Sequence, residues 1–187
     1  MNRRNAIKNA TLLLGGTLSA STVMAVMSGC KAERAANRTS SFFTTDEANI
    51  VECIVDRIIP RTDTPGAVDA GVHLLIDKMM AEYYPKEEST AFREALLQVD
   101  HDAKKTFGNA FVRLNTGQQD QLLEKYDKAA FADNGEEKTF FRKIKELTIL
   151  GFCTSEPGAT EFLKYDPLPG DYNGCIPYEE VGAAWAT

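Results

Sequence analysis

Apolar residues recur at helical spacing along much of this chain, and this periodicity restricts the fold more than any other feature. The first periodic segment carries one apolar stripe, which is typical of the buried face of an α-helix: Ile50, Val51, Ile54, Val55, Ile58 and Ile59. No stretch of useful length shows the alternation of apolar and polar residues that a half-buried strand requires. The sequence therefore predicts an all-α fold.

Proline, glycine and capping residues divide the pattern into about five helices. The first begins close to residue 42, has N-cap candidates at 44–47 and stops at Pro60. The others are predicted at about 68–83, 87–107, 118–132 and 136–152. Their expected inward positions are, in chain order, Val72, Leu75, Ile76, Met79, Met80, Phe92, Leu96, Val99, Ala103, Leu122, Leu123, Tyr126, Phe140, Phe141, Ile144, Leu147 and Leu150.

The residues after 152 are rich in proline and glycine and form no periodic pattern, so they predict a long irregular tail. The fold class is thus a helical bundle with a C-terminal tail. Aromatic residues are interleaved with the turns of this tail, among them Tyr165, Tyr172 and Trp185. The tail either packs on its own bundle or partly wraps a partner subunit, because aromatic side chains are enriched at interface hot spots.

The first 29 residues are predicted to be an export signal rather than part of the fold. Arg3, Arg4 and Lys8 precede an apolar run that is shorter and softer than the roughly 20 residues of a spanning helix. The letters NRRNAIK resemble a twin-arginine signal, in which Ile7 and Lys8 occupy the usual aliphatic and lysine positions. The alternative is an ordinary secretory signal that contains two arginines.

A cysteine closes this apolar run, and the letters MSGC at 27–30 resemble a lipobox. In that case Cys30 is lipidated and becomes the new N-terminus, and two or more acyl chains anchor a protein stably. Otherwise Cys30 is incidental. Residues 31–41 are polar and predict a flexible tether. The predicted organisation is a signal at 1–29, a lipidated cysteine and tether at 30–42, and a helical domain at 43–187.

Motifs that carry chemistry are missing from the sequence. The net charge is −6 and no run of Lys or Arg exceeds two residues, which argues against nucleic-acid binding. HExxH, C-x-x-C, G-x-G-x-x-G, P-loop and G-x-S-x-G patterns do not occur. His73 lies among apolar helix positions and His101 lies between two aspartates. No catalytic, cofactor-binding or metal-binding residue is predicted.

Three cysteines remain once Cys30 is set aside: Cys53, Cys153 and Cys175. An exported chain meets an oxidising compartment, and an odd number leaves at least one thiol unpaired or bonded to another chain. Cys53 is predicted to be a buried thiol beside the first apolar stripe. Cys153 and Cys175 either bridge each other, which would stabilise the tail by about 3 kcal/mol, or one of them bonds a partner.

Several motifs in a fixed order resemble the gluconate 2-dehydrogenase subunit 3 family over about residues 43–178. They include IIP at 58–60, DTPGA at 63–67, AGV at 70–72, SEPG at 155–158, YDPLPG at 165–170 and GCIP at 174–177. The resemblance implies a small, non-catalytic accessory subunit of exported flavin-dependent sugar and polyol dehydrogenases. It also implies that this chain binds no cofactor of its own.

The same resemblance implies the partners. The large subunit is a flavoprotein of the glucose–methanol–choline oxidoreductase type that carries FAD, often alongside a haem-bearing subunit. The small subunit brings the twin-arginine signal, engages the translocase, and escorts the folded flavoprotein and helps it mature. The lipobox departs from the plainest family members and would hold the complex on a membrane surface in the periplasm.

Residues expected at the partner interface are Arg61, Asp63, Tyr165, Tyr172 and Trp185. The loop that carries the first two could instead only connect helices, with Asp63 and Thr64 capping the second helix. Two other functions are considered: a free-standing helical envelope lipoprotein that acts as a binding or scaffold module, and an enzyme with an unrecognised site.

Overall fold

A computed structural model describes residues 42–132, 139–168, 170 and 174–186. Within these ranges five helices of 11 to 22 residues form the fold. They are α1 (Thr45–Ile58), α2 (Val72–Glu82), α3 (Lys86–Phe107), α4 (Thr116–Ala132) and α5 (Phe140–Cys153). Shorter elements are a 3-10 turn (Phe111–Arg113), a π-helical turn (Gly158–Phe162) and α6 (Tyr178–Val181). The all-α prediction is confirmed.

Local capping defines where α1 begins. The hydroxyl of Thr44 accepts a hydrogen bond from the backbone N–H of Glu47, and the Glu47 carboxylate accepts one from the N–H of Thr44 at 2.8 Å. This reciprocal pair satisfies two donors that a helix start leaves open, and such caps contribute about 1 kcal/mol. The helix ends at Ile58, immediately before the C-cap Ile59 and Pro60.

Helix α1 lies at the centre of the core and contacts each of the other four long helices. Ile54 and Val55 of its apolar stripe are fully buried, as is Phe111 from the 3-10 turn. The last two stripe positions, Ile58 and Ile59, are partly buried against this core. All four inward positions predicted for the third helix are buried, which confirms its register: Phe92, Leu96, Val99 and Ala103.

Two predicted helix starts are wrong. Helix α2 begins at Val72 rather than near residue 68, because Gly71 has a φ of +71° and this left-handed conformation interrupts a right-handed helix. Helix α5 begins at Phe140 rather than at residue 136. Thr139 is extended and serves as its N-cap, with the hydroxyl accepting from the N–H of Arg142.

Two leucines predicted to be inward are exposed, Leu75 by 38% and Leu150 by 53%. The buried face of α2 runs through Val72, Ile76 and Met80 at steps of four residues, so Leu75 lies at its edge. Leu150 lies on the side of α5 that borders an open cleft. Both helices therefore carry more apolar residues than the core encloses.

Candidate partner-binding surface

Neither a metal site nor a membrane-spanning helix is found in the described ranges. No group of three or more His, Cys, Asp or Glu side chains there could hold a metal ion. None of the helices there combines the length and apolar character needed to cross a bilayer. His101 is largely exposed, and its Nδ1 lies 3.7 Å from Oδ1 of Asp102.

A carboxyl–phenol pair with shifted pKa values, Asp102 and Tyr126, connects two helices. Tyr126 on α4 donates a hydrogen bond of 2.9 Å to Asp102 on α3. This bond is the main reason why the pKa of Asp102 is lowered. Burial is the main cause that raises the pKa of Tyr126, followed by the hydrogen bond to Asp102 and then by the negative charge of Asp102. Because both partners stay in their ordinary charge states at neutral pH, the pair is a structural tie between α3 and α4.

The loop between α1 and α2 is folded around one aspartate. The two carboxylate oxygens of Asp69 accept from the backbone N–H of Gly66 at 2.9 Å and from Nη1 of Arg61 at 3.1 Å. The N–H of Ala67 donates to the carbonyl of Ile59 and closes the base of the loop. The loop is thus a fixed surface feature that presents the exposed side chain of Arg61.

Asp63 and Thr64 do not cap α2, so that prediction is wrong. The N-cap is Gly71, which offers no side chain, and Asp63 is exposed in the loop. Asp69 supplies the stabilising contacts instead, and sequence reasoning missed it. Its signal was the position three residues after Gly66, where an aspartate can accept a hydrogen bond from a turn amide.

The C-terminal tail is irregular, but part of it folds back on itself. Lys164 exchanges two backbone hydrogen bonds with the end of the chain, donating to Ala184 at 2.7 Å and accepting from Ala186 at 2.9 Å. Its ammonium lies 4.5 Å from the ring centroid of Trp185. At the other end of the tail, Phe162 packs against Phe152 of α5 with centroids 5.5 Å apart. The tail is therefore attached to the bundle at its root.

Most large apolar side chains of the tail nevertheless face solvent. Tyr165 is 56% exposed and Trp185 is 45% exposed. Leu168, Ile176 and Tyr178 are exposed as well. Clusters of exposed aromatic and aliphatic side chains mark interaction surfaces more often than scattered ones do. Packing of the tail on its own bundle thus accounts for the contact of Phe162 with Phe152, but not for these exposed side chains.

The structure places the predicted interface residues in two segments. Arg61 and Asp63 lie in the loop before α2, whereas Tyr165 and Trp185 are brought into one unit by the pairing of residue 164 with residue 185. Tyr172 lies outside the described residues. So do the export and lipidation residues predicted from the sequence: Arg3, Arg4, Ile7, Lys8 and Cys30.

The cysteines after the leader differ in their surroundings. Cys53, predicted to be buried, is only partly buried against the core; burial raises the pKa of its thiol, and the charges of Glu52 and Asp56 add to the effect. Cys153 is partly buried at the end of α5, and Cys175 is exposed. The bridge between Cys153 and Cys175 stays a prediction.

An open cleft of about 1070 Å³ lies between α3 and α5. Phe92, Phe140 and Leu150 contribute to its apolar lining. An ion pair of 2.8 Å between Lys143 and Glu88 links the two helices at this cleft. The sequence did not predict the cleft, because helical periodicity identifies the apolar faces of α3 and α5 but not the gap between them.

Comparison with known proteins gives one match. The sequence model described as gluconate 2-dehydrogenase subunit 3 matches residues 45–170, which include all five long helices and the first part of the tail. Neither a curated protein nor a solved structure matches the sequence. The family match covers more than half of the chain. This chain therefore belongs to the gluconate 2-dehydrogenase subunit 3 family, and that membership implies a partner dehydrogenase complex.

Proposed function

We propose that this chain is the non-catalytic small subunit of a membrane-associated flavin-dependent dehydrogenase. It binds the large FAD-carrying subunit of the glucose–methanol–choline type and escorts it through twin-arginine export and maturation. The observation that carries the proposal is the family match, which continues past the bundle into the tail as far as residue 170. The partner holds FAD, and in some complexes a haem-bearing subunit takes the electrons.

The exposed side chains of the tail support a binding role. Tyr165 and Trp185 present large rings on a segment whose backbone is fixed by the bonds at Lys164. Ordering a segment before it binds reduces the entropy lost on association. The charged loop at Arg61 and Asp63 offers a second, polar contact region. The two segments thus offer an apolar and a charged contact region, the two kinds of surface that protein interfaces combine.

The first 30 residues supply the export and anchoring parts of the proposal. Arg3 and Arg4 address the chain to a translocase that carries folded proteins, and the flavoprotein crosses with it. Cys30 is then the lipid attachment site and keeps the complex at the periplasmic face of a membrane. This order of events requires that the two subunits bind each other in the cytoplasm.

Removing both tail rings tests the proposed interface. The double variant Tyr165→Ala, Trp185→Ala is expected to weaken binding of the flavoprotein by at least about 30-fold, the loss expected if only one of the two rings is a hot spot worth about 2 kcal/mol. Binding is measured by titrating the purified chain with flavoprotein recovered from the native complex.

The control is Tyr83→Ala, which removes a ring of the same kind as that of Tyr165; the Tyr83 ring is 74% exposed at the end of α2, outside the tail. The control should bind as tightly as the unchanged chain, and both variants should keep the same helical circular dichroism. Equal affinities for the double variant and the unchanged chain would show that the tail is not the interface.

A further inference from the structure

Phe42 and Phe43, the first residues that the structure describes, are held by a buried carboxylate on α2. Asp77 on α2 is only 7% exposed. Its Oδ1 accepts hydrogen bonds from the backbone N–H groups of Phe42 at 3.1 Å and Phe43 at 2.9 Å. Hydrogen bonds to an ionised acceptor are stronger than neutral ones, especially away from water. The chain is therefore fastened to α2 before α1 begins.

A guanidinium on α3 holds the same segment from a second direction. Arg93 donates to the carbonyl of Phe42, and its Cζ lies 4.3 Å from the centroid of the Phe42 ring. Its Nε lies 3.3 Å from Oε1 of Glu47 on α1. The other oxygen of Glu47 accepts from the N–H of Thr44. Three charged side chains from three helices thus surround residues 42–44.

Packing completes the attachment. Phe43 is 4% exposed, and its ring centroid lies 6.1 Å from that of Phe92 on α3. Moving the chain away from this position would expose the Phe43 ring to water in addition to breaking the polar contacts. The polar and apolar contacts therefore oppose the same displacement.

The arrangement of these bonds determines how they respond to a pull. The N–H groups of Phe42 and Phe43 and the carbonyl of Phe42 are all hydrogen-bonded. A force on the chain before Phe42 therefore acts on the three bonds together instead of breaking them one after another. Their partners lie 34 to 51 residues further along the chain. The attachment consequently exists only when α1, α2 and α3 have assembled.

We propose that Glu47, Asp77 and Arg93 form a clamp on Phe42 and Phe43. The clamp prevents α1 from unwinding when the residues before Phe42 are pulled, bound or processed. The benefit of such a clamp rests on the proposed function, in which the residues before Phe42 carry the export signal and the lipid tether. The predicted boundary between tether and domain, after residue 42, falls at this clamp. Without it, a load on the leader would act directly on the first turn of α1, which frays most easily.

Amide hydrogen exchange of the full chain, followed by NMR, tests the clamp. Asp77→Asn is expected to speed exchange at Phe43 and at Ala48, in the first turn of α1, by at least about 10-fold. Exchange at Ile144 and Leu147 in α5 should stay within about 2-fold of the unchanged chain. The control Asp63→Asn, which alters an exposed aspartate outside the clamp, should change exchange at none of these amides.

A second variant keeps the test valid if Asp77→Asn does not fold. Arg93→Lys retains the charge but loses the planar donor fork, and it should accelerate exchange at Phe43 and Ala48 in the same way. No acceleration there, or equal acceleration in α5, would overturn the clamp. The purified chain is measured without translocase or flavoprotein, so the result is independent of whether the chain escorts a partner.

Discussion

Replacing Arg3 and Arg4 by lysine is expected to abolish export of the partner flavoprotein and to leave it in the cytoplasm. Lysine preserves the positive charge but not the planar guanidinium with its five donors, which a receptor can recognise bidentately. An ordinary secretory signal needs only a positively charged start before its apolar run. The substitution therefore separates a twin-arginine signal from the secretory alternative. Flavin content and dehydrogenase activity on the periplasmic side of the cell envelope, with the membrane and periplasmic fractions counted together, measure the effect.

Arginines in the predicted tether provide the matched control. Arg34 and Arg38 undergo the same chemical change when both become lysine, but they lie after the apolar run. Export of the flavoprotein should be normal in this control. Normal export in the Arg3→Lys, Arg4→Lys variant as well would contradict the escort role.

Gly158→Ala is expected to cause the largest loss of stability among single substitutions in the tail. A Cβ at this position would lie 1.8 Å from the carbonyl oxygen of Phe152 and 2.7 Å from its carbonyl carbon. These are backbone atoms at the end of α5, so no side-chain rotation relieves the overlap. Overpacking typically costs about 1–3 kcal/mol, and an overlap with backbone atoms that cannot rotate away belongs at the upper end of that range. The π-helical turn must move, and the contact of Phe162 with Phe152 is lost.

The single tryptophan makes this effect measurable, because Trp185 reports on the tail while circular dichroism reports on the bundle. In denaturant, the Trp185 fluorescence of Gly158→Ala should change at a lower concentration than the helical signal. The control is Gly170→Ala, where a Cβ meets no atom within 4 Å, and its transitions should match those of the unchanged chain. An unchanged Trp185 transition in Gly158→Ala would contradict the described root of the tail.

Helical periodicity predicted the five long helices and most of the core, because one apolar face is enough to define a helix in a bundle. It failed at Leu75 and Leu150, whose burial depends on which neighbouring helix covers them. The start of α2 was also missed, since the turns before Gly71 contain apolar residues that continue the pattern. Periodicity describes each helix alone, whereas these features depend on the arrangement of several.

The contacts that fix the functional segments were the least predictable from the sequence. Asp77 and Arg93 bind backbone groups 34 to 51 residues away, a separation at which no local pattern indicates a partner. The tail aromatics, in contrast, could be identified because aromatic residues interleaved with turns are visible in the sequence itself. The sequence therefore indicated which tail residues could bind a partner, and the structure showed that Tyr165 and Trp185 are exposed and what holds their backbone in place.

The central claim is that this chain acts as a bound subunit of a flavoprotein dehydrogenase. Isolation of the native complex through this chain, without denaturation, followed by size-exclusion chromatography with flavin absorbance, tests that claim most directly. The account predicts that the chain elutes together with a larger subunit in equal amount and that the peak carries flavin absorbance. Elution of the chain alone, with no flavin in its peak, would contradict it.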